Sequence, residues 1–228
     1  MLPATEDKAD FVRTMFDRIA SRYDILNRLF SFRLDQYWRR RTVRAVQLTA
    51  HDTVVDLACG TGDLSELAVR AGARVVGVDF SEHMLINAQF RKISAFFVQA
   101  DASHVPLPTA WATVILSGFA LRNFVSLPLV FDEAARVLKT GGRLALLEVD
   151  SPKNPVLRYG HRFYFTRVVP FLGALLADAQ AYAYLPRSVS YLPNTDDLVA
   201  LLQQSGFRQV QQHRLSGGIA QLITAVRK

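Results

Sequence analysis

Thr53-Val54-Val55-Asp56-Leu57-Ala58-Cys59-Gly60-Thr61-Gly62-Asp63 sets a short apolar strand, a glycine turn and a helix start in immediate succession. The continuous run of β-branched and aliphatic residues suits a strand buried on both faces. Glycines let a backbone come close to a ligand, and the first N–H groups of the following helix are free to bind one. A lone Gly-x-Gly is also compatible with a plain strand-to-helix turn. The next segment, Arg74 to Asp79, repeats the pattern, with Asp79 at its tip and Ser81 placed to cap a helix.

Working outward, Ala95 to Gln99 reads as a third strand and Ala112 to Leu116 as a fourth. A helix carrying Leu129, Val130, Ala134, Val137 and Leu138 ends at Gly141-Gly142, before a strand from Arg143 to Val149. Alternating strands and helices with apolar strands predict an α/β fold, a doubly wound, mostly parallel sheet. Three helical stretches precede it: residues 9–20, a segment holding Ile25, Leu26, Leu29 and Phe30, and a basic one from Asp35 to Val46 with Trp38 and Arg39-Arg40-Arg41. After Ser151-Pro152-Lys153-Asn154-Pro155 comes an aromatic-rich helical stretch to Ala177, then a Tyr- and Pro-rich loop. A helix from Asp196 to Gln204 and two strands around Val210 and Ile219 to Val226 finish the chain as a hairpin. One domain is expected, with N-terminal helices over 1–50, a core over 51–150, a lid over 151–195 and a final helix and hairpin over 196–228.

Composition narrows the class. Among 228 residues there is one cysteine, Cys59, so no intrachain disulfide and no cysteine-based zinc site can form. The five histidines show no ligand spacing, and no metal is expected. The start, MLPATEDKADF, puts acids where a secretion signal needs basic and then apolar residues, so a cytoplasmic protein is expected. The net charge of +7 is unevenly spread. Residues 1–44 hold ten Lys/Arg against six Asp/Glu, residues 45–150 eight against eleven, and residues 151–228 nine against three. Basic flanks suit nucleic acid, an anionic membrane surface or an acidic substrate.

The acids decide between ligands. Asp79 stands where a carboxylate accepts hydrogen bonds from both hydroxyls of a ribose lying across the strand tips. Asp101, with Ala102, is in register at the third tip, beside the expected position of an adenine. A dinucleotide fingerprint wants a third glycine where this chain has Ser65, and Asp56 and Asp63 would repel a pyrophosphate. A sulfonium and an ammonium are tolerated there, which favours S-adenosylmethionine.

These features resemble the class I S-adenosylmethionine-dependent methyltransferases. More narrowly, the chain resembles the ubiquinone/menaquinone biosynthesis C-methyltransferases. The resemblance rests on Met15-Phe16-Asp17-Arg18-Ile19-Ala20-Ser21-Arg22-Tyr23-Asp24, Trp38-Arg39, Gly60-Thr61-Gly62-Asp63, Phe119-Ala120-Leu121-Arg122-Asn123, Arg136-Val137-Leu138-Lys139, Tyr184-Leu185-Pro186 and Ser216-Gly217-Gly218. The chain departs from that pattern at Leu26, Asp35, Thr140, Asp150 and the run Ser117-Gly118-Phe119-Ala120. The resemblance implies a seven-stranded sheet and a cofactor set of Asp56, Gly60, Thr61, Gly62, Asp79, Phe80, Asp101, Ala102, Ser117, Gly118 and Tyr23. Thr61 either binds the methionine carboxylate or backs the turn. It also implies a polyprenylated hydroquinone as substrate, with naphthoquinol and benzoquinol both open, S-adenosylhomocysteine as product, and a peripheral place at the membrane. A homodimer stays open.

Ring-carbon methylation needs a phenolate, so a base or a cation near the ring oxygen is sought. Arg122, Asn123 and Tyr182 are the catalytic candidates. Arg122 alternatively caps a helix or pairs at the surface, and Asn123 alternatively caps the next helix. Tyr23 and Asp24 are candidates to close over the cofactor, and His161, Tyr164, Asp178 and Tyr184 to line the substrate pocket. Cys59 reads as a packed residue rather than a nucleophile, and Arg39-Arg40-Arg41 as a solvated or lipid-facing run. An RNA methyltransferase is the rival enzyme; it lacks an Asn-Pro-Pro-Tyr-type run here and no nucleic acid is expected. A quinone- or membrane-binding protein without turnover is the non-enzymatic rival.

Overall fold

The central strands are buried on both faces, and alternate residues along them pack into different layers. A computed structural model of the chain describes residues 7–169, 184 and 187–228. Its strands are β1 (Thr53–Leu57), β2 (Arg74–Asp79), β3 (Phe96–Gln99), β4 (Ala112–Gly118), β5 (Leu138–Val149), β6 (Phe207–Leu215) and β7 (Ala220–Arg227). They make one sheet in the order β3-β2-β1-β4-β5-β7-β6. Only β7 runs antiparallel to its neighbours β5 and β6, as a C-terminal hairpin would.

Helices α1 (Lys8–Ile19), α2 (Tyr23–Phe30) and α3 (Leu34–Ala45) precede the sheet, and α4 (Asp63–Arg70), α5 (Glu82–Phe90) and α6 (Leu127–Val137) join its strands. Pro155–Phe163 forms α7 and Thr195–Gln204 forms α8. Val54, Val114, Leu116, Ala145, Leu147 and Leu222 pack on one face with Trp38 of α3 and Leu64 and Ala68 of α4. Their strand neighbours Val55, Ile115, Leu144, Leu146 and Ile223 pack on the other with Phe131 of α6 and Leu198 and Leu202 of α8. Each such fully buried aliphatic side chain contributes about 1.5–3 kcal/mol of transfer free energy. A third, smaller core joins Val12, Met15 and Ile19 of α1 to Leu26 and Phe30 of α2, Val169 and Tyr184.

The sequence expectations need correcting at three places. Ile25 and Leu29 share the helical stripe of α2 but are exposed, at 68% and 51%; only Leu26 and Phe30 face inward. Strand β5 begins at Leu138 rather than Arg143: Leu138 pairs with Ala112 ahead of a break, and regular parallel pairing resumes at Arg143 opposite Val114. Arg39 is buried, not solvated, because it lies on the stripe of Asp35, Trp38 and Thr42 that α3 turns inward. Arg40 and Arg41 are exposed.

Candidate active site

The parallel strands end on one edge, and the turns that follow them carry the polar groups of the site. After β1 the backbone enters the left-handed region at Ala58 (φ 53°), Gly60 (φ 56°) and Gly62 (φ 85°), where an L side chain is strained. A Cβ on Gly62 would also lie 2.9 Å from the Ile93 methyl, so glycine is required there twice over. One on Gly60 would meet nothing within 4 Å, which leaves the turn open toward a ligand.

Asp79 ties this turn to the next one. One carboxylate oxygen accepts from the Gly60 N–H (2.8 Å) and the other from the Ser81 N–H (2.9 Å). The Phe80 N–H also favours the charged carboxylate, and the acceptor capacity that remains is available to a diol. Burial pushes its pKa up to about 6, against the pull of these N–H donors. Asp56 lies deeper. It is buried, one oxygen accepts from the Ser65 hydroxyl (2.6 Å), and the other has no partner. Desolvation raises its pKa to about 7. Burial likewise drives the Cys59 thiol well above its ordinary value, so it is no nucleophile at neutral pH.

Of the expected residues, Tyr23, Gly60, Asp79, Phe80, Asp101, Ala102, Gly118 and Asn123 line one cavity of about 310 Å3. Asp101 is exposed and takes the N–H and hydroxyl of Ser103. Asp56, Thr61, Gly62, Ser117 and Arg122 are not on the cavity wall. Thr61 donates to Asp24 (2.6 Å), and Ser117 donates to the Leu57 carbonyl, bracing β4 on β1. Arg122 is buried and ion-paired with Glu148 of β5. It caps no helix and lies away from the surface. Nor does Asn123 cap α6; Ser126 does, accepting from the Leu129 N–H. Asn123 instead accepts from the Tyr184 hydroxyl (3.2 Å), whose pKa burial pushes up to about 12. Tyr164 donates to the Phe30 carbonyl (3.0 Å), and half-buried His161, its pKa lowered by burial, stacks near Phe165. Tyr182 and Asp178 lie outside the described residues.

Three cavity groups were not singled out from the sequence. Phe16, Phe119 and Phe124 make the wall beyond the cofactor turn aromatic. Helix α1 reaches this edge through Asp17, which accepts from the Ser81 hydroxyl (2.5 Å) and faces His83 at 3.3 Å.

A family model described as the ubiE/COQ5 methyltransferase family matches residues 3–227. The chain belongs to that family. It is 41% identical over 221 residues to a ubiquinone/menaquinone biosynthesis C-methyltransferase of Syntrophotalea carbinolica, covering 94% of this chain and 93% of that one. It is 42% identical over 213 residues to the demethylmenaquinone methyltransferase of Thermus thermophilus, covering 90% and 96%. The fold is that of class I methyltransferases. A SAM-dependent methyltransferase from Thermotoga maritima is 20% identical, with TM-score 0.67 over 95% of this chain and 99% of that one. Phosphoethanolamine N-methyltransferase 2 of Haemonchus contortus, solved with S-adenosyl-L-methionine, has TM-score 0.62 at 13% identity, over 83% of this chain and 52% of that one. The chain is therefore an enzyme, a methyltransferase of the ubiE/COQ5 family.

Proposed function

We propose that this methyltransferase moves the methyl group of S-adenosylmethionine to a ring carbon of a prenylated hydroquinone, the quinol precursor one methyl short of a respiratory quinone. The observation that carries the reading is the lining of the cavity. Its wall combines polar groups at three successive strand tips, Gly60, Asp79 and Asp101, with the apolar side chains of Phe16, Phe119, Val125, Leu129 and Val130. A nucleoside fits the first and an aromatic ring with an isoprenoid tail the second. Relatives named for demethylmenaquinone and for ubiquinone/menaquinone biosynthesis support the quinol class, and both ring types stay within it.

The residues present fit the cofactor. The remaining acceptor capacity of Asp79 suits the ribose hydroxyls, Asp101 and Ala102 flank the adenine, and open Gly60 lets the chain pass. When bound, it supplies an electrophilic methyl group. The rest is the work of this chain's side chains. Asn123 reaches the cavity and offers its amide to a ring oxygen. Arg122, behind it and paired with Glu148, pulls down the pKa of both Tyr23 and Tyr184, although burial outweighs it and the Glu148 charge opposes it at Tyr184. The same field favours a phenolate over a phenol. Holding the ring in line with the methyl carbon supplies the rest of the acceleration.

Such a substrate lives in a bilayer. Among the described residues no helix is long and apolar enough to cross one. The exposed apolar side chains of α7 (Val156, Tyr159 and Phe163), interleaved with Arg158 and Arg162, support peripheral contact with an anionic surface.

The test is methyl transfer from labelled S-adenosylmethionine to demethylated naphthoquinol and benzoquinol in detergent, with RNA as a control. Label on a quinol ring is expected; label on RNA alone overturns the reading. Asp79→Ala is expected to weaken cofactor binding by about tenfold or more, because two ribose hydrogen bonds to a charged acceptor go. Unchanged affinity would remove Asp79 from the site.

A further inference from the structure

Arg39 has five N–H donors and uses none of them in a hydrogen bond with any described residue. Its side chain is 7% exposed. A buried guanidinium nitrogen without a hydrogen-bond partner, as Nε is, is costly, and native structures pair such groups. Its neighbouring anions, Asp63, Asp35 and Asp56, offset its charge without giving Nε a hydrogen bond. Nε stands 3.4 Å from one oxygen of Asp63 and 4.0 Å from Asp35, and has no hydrogen-bond partner. Asp63 is already engaged by Arg91 (2.8 Å), Arg28 (3.4 Å) and Gln36 (3.0 Å), and Asp35 by Ser31 and Gln36.

The guanidinium stands at the methionine end of the cofactor edge. It lies over the Phe119 ring, 5.1 Å from its centroid, and Phe119 lines the cavity. Nη1 is 3.2 Å from the place where a Cβ on Gly118 would sit, and Gly118 also lines the cavity. The missing side chain lets the guanidinium, together with Leu64 (Cδ1 2.9 Å from the same point), come up against the backbone of a cavity-lining residue, although Arg39 itself is not on the cavity wall. The strand order fixes which end of the ligand arrives: adenine at β3, ribose at β2, and so the amino-acid part at β1 and β4, where Gly60 and Gly118 stand. Thr61, the sequence candidate for the carboxylate there, already donates its hydroxyl hydrogen bond to Asp24.

The geometry points to Arg39 as the counter-ion of the cofactor's α-carboxylate, a fork-to-carboxylate pair reached past Gly118. This rests on the S-adenosylmethionine assignment above. It makes Arg39 a binding residue that the exposed Arg40 and Arg41 are not, and Trp38, packed beside it and donating to Ser216 (2.9 Å), holds α3 in phase.

The test is calorimetric binding of S-adenosylhomocysteine, and of its amine analogue lacking only the carboxylate, to the full chain and to Arg39→Met. Arg39→Met is expected to weaken S-adenosylhomocysteine on the order of thirtyfold or more, the usual scale for removing one partner of a buried charge pair. The analogue should stay within about twofold. Equal losses for both ligands, or no loss for either, overturns the proposal, since a merely structural Arg39 does not sense the carboxylate. If Arg39→Met does not fold, Arg39→Lys keeps the charge and stem but not the fork, and the same selective loss is expected at smaller size. Failure of the wild-type chain to bind either ligand strikes the cofactor assignment instead, and this proposal with it.

Discussion

Asp56 and Asp79 are buried acids, and their raised pKa values record the cost of desolvation, which at Asp56 the Arg39 charge offsets only in part. The ordinary carboxyl value is 3.8; in the fold Asp56 rises to about 7 and Asp79 to about 6. Below pH 4 both folded and unfolded chains hold the protons. Between pH 4 and 7 the unfolded chain releases them first, so the stability these groups contribute is lost as pH rises through their folded values. Asp56→Asn keeps the bond to Ser65 and removes the charge. It is expected to stabilise the ligand-free protein by about 1–3 kcal/mol at pH 8 and not at pH 4, read from denaturant melts at the two pH values. Equal effects at both would show that Asp56 keeps its ordinary pKa. A sulfonium and an ammonium nearby pull the same pKa values down, so cofactor affinity should rise from pH 5 to 8 with proton release. Calorimetry in two buffers of different ionisation enthalpy reads that release. Gly60, Asp79 and Asp101 could be placed from sequence because a strand tip fixes its residue's position. Arg39 could not, because an Arg-Arg-Arg run looks the same solvated; only the phase of α3, set by Trp38 and Thr42, separates its first member from the next two.

At the scale of elements, the strand–turn–helix units were legible because apolar period, glycine stops and caps agree. Ser81 does cap α5, and Gly62 does open α4. What periodicity missed is what tertiary neighbours decide. The stripe of α2 has four apolar members and its packing partners, Val169 and Tyr184 among them, cover only two. Nor could spacing show that α1 would lie across the cofactor edge, since Asp17 and Ser81 are 64 residues apart. Through Ala9 and Phe16, α1 lines the same cavity as Phe80. Asp17→Ala is expected to speed amide exchange in α1 and hasten cofactor release several-fold, while β1 and β4, paired in the middle of the sheet, keep their protection. Exchange that rises uniformly through the chain would mean that Asp17 supports the whole fold rather than latching one helix.

Across the whole molecule, charge is sorted by what each part faces. The stretch of net −3 between residues 45 and 150 holds the cofactor turn and the tips of β1 to β4, whereas the flanks carry +4 and +6. The exposed apolar side chains fall on those flanks as well: Ile25, Leu29 and Phe32 on the N-terminal side, Val156, Tyr159 and Phe163 on α7. The two groups adjoin, with the Phe32 ring 5.7 Å from that of Tyr164, one residue beyond α7. An apolar face ringed by arginines suits a bilayer with anionic headgroups, where each basic residue near the surface contributes about 1 kcal/mol. The chain should therefore sediment with phosphatidylcholine vesicles that contain phosphatidylglycerol and not with phosphatidylcholine alone, and salt should release it as the surface charge is screened. Arg158→Gln with Arg162→Gln should lower that partition by about thirtyfold, two such contributions taken together. The same double variant should methylate a short-tailed quinol at the wild-type rate in solution, because neither arginine lines the cavity. Binding that ignores lipid charge, or survives the double substitution, would move the bilayer contact away from α7 and leave the basic flanks without this role.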